Sequence, residues 1–382
     1  MKKWTVLFLI FITALMGCSK KTPSEATTPG TERPVTLKVG HVGHDHHLAL
    51  FAACDYAEQF DKTGITLKKV LDQKRYALYE NAQKIADVEI VRVGGGSKMP
   101  AALAQGVIDI GFGGVAPVMA STDSGAPIKL ISPLHSKGDM FVVKPDSTVN
   151  TWEDFVKQVK QTQQPLRIGY KNPVAVAKLI FEDALQHEGI SFSQDSTQTD
   201  VQIHLINTKG GGKLNVSLAG GLIDGYVGNN PFPSIAVEKK MGKIICDLED
   251  LPPGNFKNHP CCCIAANETA IQEKAAAIKV MLVLCQQATN MINRDTDKAV
   301  SAATRWIGTS ETVERMSIPT SSYNMDPSDD WQTAMNHWIK AMNTLGTFTG
   351  KLKGLTPQEA CTIVYDMELL EQAKQQLEKA NI

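Results

Sequence analysis

The densest group of chemically able side chains in this 382-residue sequence is His41, His44, Asp45, His46 and His47. Neutral imidazoles ligate metals and protonated ones bind anions. His44 with His46 or His47, plus Asp45, offers donors suited to zinc, nickel or cobalt. So short a run needs a paired motif elsewhere to close a metal site, and none is identifiable. We therefore read His44, Asp45, His46 and His47 as lining a ligand pocket, with no metal site and no cofactor. His135 reads as a structural residue. A second group is Cys261-Cys262-Cys263. Neighbours on a strand point to opposite faces, so the run pairs poorly within itself. Free, buried thiols are expected rather than a disulfide framework. No Ser-His-Asp order or paired-carboxylate signature stands out, and we expect no enzymatic activity.

The elements that must position such residues announce themselves in a repeat. Gly94-Gly95-Gly96 leads through Pro100, Leu103 and Gly106 into Ile108-Asp109-Ile110-Gly111, then Gly114 and Pro117. About 115 positions on, Gly210-Gly211-Gly212 leads through Leu218 and Gly221 into Ile223-Asp224-Gly225, then Gly228 and Pro231. Each copy reads as glycine loop, short helix, short strand and a turn ending in Pro, a favoured first helical residue. Two similar α/β lobes follow, each presenting glycine loops and helix starts with unpaired amides. Ligands of open α/β sheets sit beyond the carboxyl ends of the strands. That rule gathers loops 43–47, 96–99, 113–117, 171–174 and 228–232. The candidate ligand-binding residues are His44, Asp45, His46, His47, Ser97, Lys98, Gly114, Val115, Lys171, Asn172, Val174, Asn229 and Asn230. Lys98 and Lys171 can neutralise an anion; the Asn amides can donate or accept.

The N-terminus sets the location. Lys2 and Lys3 precede an apolar run from Trp4 to Met16, short for a spanning helix and suited to a secretory signal. It ends Leu15-Met16-Gly17-Cys18, a bacterial lipobox in which Cys18 takes the lipid. Residues 1–17 are then a signal peptide and 18–34, rich in Pro, Ser and Thr, a lipid anchor with a flexible tether. No later run has the length and uncharged composition to span a bilayer. We expect a cell-envelope protein, anchored by its lipid and facing the periplasm or the exterior. A net charge of −1 argues against nucleic-acid binding.

Strands alternate with helices along the rest, which implies mainly parallel sheets. The spacing predicts helices over 48–60, 76–85, 268–293 and 356–376, with Ser97 and Thr151 as caps of the helices that follow them. The expected lobes are 35–139 with 260–382, and 140–259.

The order of these features resembles that of substrate-binding lipoproteins of ABC importers. The group is the nitrate/sulfonate/taurine and thiamine-precursor (NMT1/THI5-like) one. The resemblance runs from Leu37-Lys38-Val39-Gly40 through both glycine units to His259-Pro260-Cys261-Cys262. It implies a type II periplasmic-binding-protein fold, two lobes joined by two crossing strands and a cleft that closes on a small anionic or heteroaromatic solute. The implied partners are that solute, a permease and an ATPase, with the chain itself a monomer. Two alternatives stand beside this. A related branch includes a thiamine-pyrimidine synthase with a Cys-rich run, iron and pyridoxal phosphate; here Ile264-Ala265-Ala266 follows Cys263 with no further Cys. The other alternative is a metal-capturing lipoprotein using the His41–His47 loop.

Overall fold

The computed structural model describes residues 34–380. The signal peptide, Cys18 and nearly all of the tether lie outside the described residues. Residues from Pro34 on form one compact unit built on two sheets. The chain lays down β1 (Val35–His41), β2 (Ile65–Leu71), β3 (Arg75–Glu80), β4 (Gln83–Arg92), β5 (Ile110–Gly114) and β6 (Ile128–Lys137). It then turns at Gly138, φ +83°, and enters the second sheet. That sheet comprises β7 (Asp139–Val143), β8 (Leu166–Tyr170), β9 (Phe192–Ser193), β10 (Ile203–Asn207), β11 (Gly225–Asn229) and β12 (Lys243–Asp247). Residues 248–259 bring it back to β13 (Pro260–Asn267), and β14 (Ser321–Tyr323) completes the first sheet. The strand orders are β14-β6-β13-β5-β1-β4-β3-β2 and β12-β7-β11-β8-β10-β9. This is the type II periplasmic-binding architecture: two lobes and two crossings.

The sheets are mixed rather than mainly parallel. Parallel pairing joins β1 to β4 and β5, and β8 to β10 and β11. The strands next to the crossings, β7 and β13, run antiparallel to their neighbours, because they return without a helical crossover. At 76–85 the helix-forming Ala, Leu and Glu mislead: the segment is a hairpin. Asn81 (φ +48°) and Ala82 (φ +67°) occupy both central positions of its two-residue turn, as a primed turn requires. Hydrogen bonding to β2 on one side and β4 on the other outweighs the local helical preference.

Helices elsewhere are shorter than periodicity suggests. Helix Leu48–Tyr56 ends before a 3₁₀ stretch, Ala57–Thr63. The 268–293 pattern divides at Lys274 into Glu268–Glu273 and Ala275–Arg294. The 356–376 pattern divides into Pro357–Val364, held by a Thr356–Glu359 capping box, and Glu368–Lys379. Thr151 caps its helix through the Asp154 amide, as expected. Ser97 caps nothing; it lies within a 3₁₀ turn, Gly96–Lys98. Helix Ala275–Arg294 is long and apolar enough to cross a membrane, but most of it is buried in the fold. It packs on helix Leu48–Tyr56 as part of the first lobe's core.

The repeat is present in three dimensions. Gly95 and Gly210 adopt nearly the same backbone, φ/ψ 142°/153° and 133°/145°. Each opens a 3₁₀ turn and a six-residue helix, Met99–Ala104 and Leu214–Ala219. The Asp109 carboxylate accepts the Lys38 amide at 2.7 Å; the Asp224 carboxylate accepts the Arg167 amide at 3.0 Å. Both aspartates thus tie the start of the new strand to the strand beside it. Gly40 on β1 and Gly169 on β8 lie under Ile108 and Ile223 respectively, where any Cβ would collide.

Candidate ligand cleft

Five strands drawn from both sheets point their carboxyl ends at one cavity of about 320 Å³. Val42 and His44 follow β1, and residues 94–98 follow β4. From the other lobe come Lys171, Asn172 and Pro173 after β8, Asn207, Lys209, Gly210 and Gly211 at the end of β10, and Phe232 after β11. The two glycine loops therefore face a shared space. Its volume suits a small solute. Larger depressions exist, such as one of about 960 Å³ beside Trp152 and Pro253, but that one is built without the first lobe's glycine loop. Lining of the 320 Å³ cavity includes Lys98, Lys171 and Lys209 and no carboxylate. Such an arrangement favours a bound negative charge.

Of the candidate residues read from sequence, His44, Ser97, Lys98, Lys171 and Asn172 line this cavity. The other candidates do not line it. Asn172 accepts the Val174 amide at 3.2 Å, which folds the 171–174 loop. The Asn229 side chain accepts from the Lys171 ammonium and donates to the Asn230 carbonyl. Asn230 donates to Thr320 Oγ1 at 2.9 Å and accepts from Ser234, so it joins the second lobe to the C-terminal part of the first. Gly114 packs under Pro117 and Val176, and Val115 is fully buried. Asp45 is buried, with its carboxylate accepting from Ser317 and its carbonyl from Tyr323 Oη.

One ring deeper lies a histidine cluster. The rings of His44 and His47 are 4.3 Å apart, those of His44 and His46 5.3 Å, and those of His46 and His135 4.0 Å. Burial, then the neighbouring His47, His46 and Lys171, hold His44 well below the usual imidazole range, so it presents a neutral ring to the cleft. Burial and the same kind of repulsion from His47 and Arg92 lower His41 to about 3. His41 packs edge-on against Phe51 and Trp306. The His47 Nδ1 accepts the Val42 amide at 3.0 Å, which fixes its tautomer and the turn after β1.

Cys261 and Cys262 meet His46. Their Sγ atoms are 3.5 and 3.9 Å from His46 Nδ1. Burial pushes the Cys261 thiol up; at Cys262 burial is outweighed by bonding from Cys261, His135 and His46, which holds that thiol well below its usual range. The seven described cysteines are free. Sequence reasoning put these adjacent residues on opposite faces. The β13–β6 ladder slips register between Pro260 and Cys262 and again between Cys262 and Cys263, and these irregularities let both side chains reach one site. Asn207 and Lys209 line the cavity but lay outside the loops gathered from sequence, and Phe232 lay within one of them without being named. The repeat carried the signal for the first two: they belong to the loop that matches Arg92–Gly96.

The fold, with its cleft between two lobes, is of the type II periplasmic class. The profile of the NMT1-like family matches residues 30–307, and the chain belongs to that family. An uncharacterized protein of Methanocaldococcus jannaschii is 37% identical over 142 residues, 36% of this chain and 92% of that one. Among solved structures, the zinc-bound ligand-binding component of an ABC-type import system from Staphylococcus aureus superimposes with a TM-score of 0.68. It is 14% identical and covers 89% of this chain and 99% of its own. The periplasmic nitrate-binding protein of Synechocystis gives 0.67 at 12% identity, over 90% and 89% of the two chains. The alkanesulfonate-binding protein of Xanthomonas axonopodis, bound to MOPS, gives 0.63 at 14% identity, over 86% and 99%. At these identities the structural likeness speaks for the fold.

Proposed function

We propose that this chain is the lipid-anchored solute-binding component of an ABC importer, and that it captures a small anionic solute, of the nitrate, sulfonate, taurine or thiamine-precursor class, between its lobes. One observation carries the reading: the cavity takes its walls from both repeats and sets Lys98, Lys171 and Lys209 around a lining without carboxylates. The solute's negative charge meets ammonium groups from both sides, and Phe232 offers one flat apolar surface for a ring or alkyl part. Contacts made only when both lobes engage are what bias the hinge toward the closed form. Residues 35–139 with 260–382 would form one jaw and 140–259 the other, and Cys18 would carry the lipid that holds the monomer at the envelope, where permease and ATPase subunits receive the solute. Import needs no bond in the solute to be made or broken.

Thermal-shift screening of nitrate, taurine, alkanesulfonates and pyrimidine phosphates, followed by calorimetry on each hit, tests the proposal. Saturable one-to-one binding of an anion, weakened by Lys98→Ala and by Lys171→Ala, supports it. Equal affinity in both variants would place the ligand elsewhere.

A further inference from the structure

We propose that His46, His135, Cys261 and Cys262 form a tetrahedral site for a borderline-soft divalent transition ion such as zinc(II), beneath the solute cleft and separate from it. The four side chains come from three distant segments: the turn after β1, the end of β6 and the start of β13. One potential ligand atom from each lies within 4.8 Å of all the others. Ligand atoms of a tetrahedral zinc site with two sulfurs and two nitrogens stand about 3.3–3.8 Å apart, given bond lengths of about 2.0–2.3 Å. Closing the observed cluster onto an ion therefore takes shifts of about an ångström or less. No other group of three or more His, Cys, Asp or Glu side chains among the described residues converges in this way.

The surroundings lack what these donors need otherwise. All four residues are buried, none more than 4% exposed. The Nε2 atom of His135 is enclosed without a hydrogen-bond partner while its Nδ1 faces the Ser136 carbonyl, and His46 turns its Nδ1 toward both sulfurs. Leaving the His135 nitrogen unpaired in an apolar interior is costly, and an ion bound by this cluster recovers that cost. Two thiolates and a dication sum to zero charge, so the filled site suits burial. Thiolate and imidazole donors select zinc-like ions over calcium or magnesium, which take oxygen ligands. The backbone is shaped for it too. The ladder irregularities around Cys262 deliver two consecutive side chains to one point, while Cys263, fully buried, falls outside the group.

The site lies at the foot of both crossings. A side chain at Gly138, the first crossing, would press on His46 Nε2. In the second crossing, His259 lies two residues before Cys261 and meets Asp139 at 3.2 Å. An ion here ties together the parts of the first lobe from which both crossings leave.

The test is titration of the reduced, metal-stripped protein with cobalt(II) chloride under anaerobic conditions. One equivalent should bind, with a thiolate-to-cobalt charge-transfer band and the intense visible bands of tetrahedral cobalt, and zinc(II) should displace it. Cys262→Ser should abolish the charge-transfer intensity or cut it by about half, and Cys263→Ala should leave it intact. If Cys262→Ser does not fold, as judged by circular dichroism, His135→Gln serves instead, and its loss of the tetrahedral visible bands carries the same meaning. Absence of a charge-transfer band in the folded, reduced protein would overturn the proposal. So would a spectrum unchanged in folded Cys262→Ser or folded His135→Gln.

Discussion

Lys98 and Lys171 belong to opposite lobes and line the same cavity. A charge-assisted hydrogen bond from either ammonium to an anion is worth about 1.5–3 kcal/mol. Lys98→Ala and Lys171→Ala should therefore each weaken solute binding by about 10- to 100-fold in calorimetry. Added salt should weaken binding by the wild type more than by the double variant, since the charge interaction is what salt screens. Loss of affinity confined to one lobe's lysine would mean that the solute sits on one lobe only.

The glycine loops owe their shape to backbone angles. At Gly95, φ is +142° with ψ 153°, a region essentially reserved for glycine, although a Cβ there would meet open space. Gly95→Ala should cost about 1–3 kcal/mol in urea unfolding through backbone strain alone. Gly96→Ala, where space is equally open and φ is not positive, should cost much less. Equal costs would show that crowding or helix propensity, and not the Gly95 conformation, governs the loop.

Asp224 supplies a pH-dependent tie in the second lobe. Its carboxylate is bonded by the Arg167 amide and guanidinium and lies 3.3 Å from the Lys144 ammonium. Burial works against ionisation, but these bonds win and hold it below the usual aspartate range. A depressed folded-state pKa contributes stability at neutral pH that is lost as pH falls below about 4. Asp224→Asn should destabilise by about 1–3 kcal/mol at pH 7, and the gap between variant and wild type should narrow as pH drops through that window. A gap independent of pH would show that Asp224 acts by shape and neutral hydrogen bonding.

Glu314 should behave in the opposite sense. It is fully buried, and burial followed by the Asp45 carboxylate raises it from 4.5 to about 8. A carboxyl with a raised folded-state pKa binds its proton more tightly folded than unfolded. Its contribution is present below pH 4.5 and is lost as pH rises toward about 8. Glu314→Gln should remove that loss, so that the variant gains on the wild type by about a few kcal/mol between pH 5 and pH 8 in thermal or denaturant melts. Parallel pH profiles for the two proteins would contradict the assignment.

How much of this was legible in the residues follows from where local pattern and tertiary contact agree. The 94–117 and 210–231 units were readable because glycine at positive φ, the Ile-Asp pair and the turn before each Pro are imposed locally; the structure gives both copies the same Asp-to-amide bond. His44, Ser97, Lys98, Lys171 and Asn172 followed from the rule of strand ends. Tyr76–Ile85 was unreadable as a hairpin because its propensities are helical and only pairing to β2 and β4 overrides them. The meeting of His46, His135, Cys261 and Cys262 was invisible for another reason. It depends on ladder slips in β13, which a two-residue alternation conceals, and on contacts spanning more than two hundred positions.

The measurement that bears most directly on the two-lobed capture of one anion is solution X-ray scattering of the protein without solute and at saturation with whichever anion proves to bind by calorimetry. The expected result is a smaller radius of gyration at saturation, with the shift abolished in Lys98→Ala/Lys171→Ala at the same solute concentration. A radius unchanged at proven saturation would contradict closure of the two lobes over the solute.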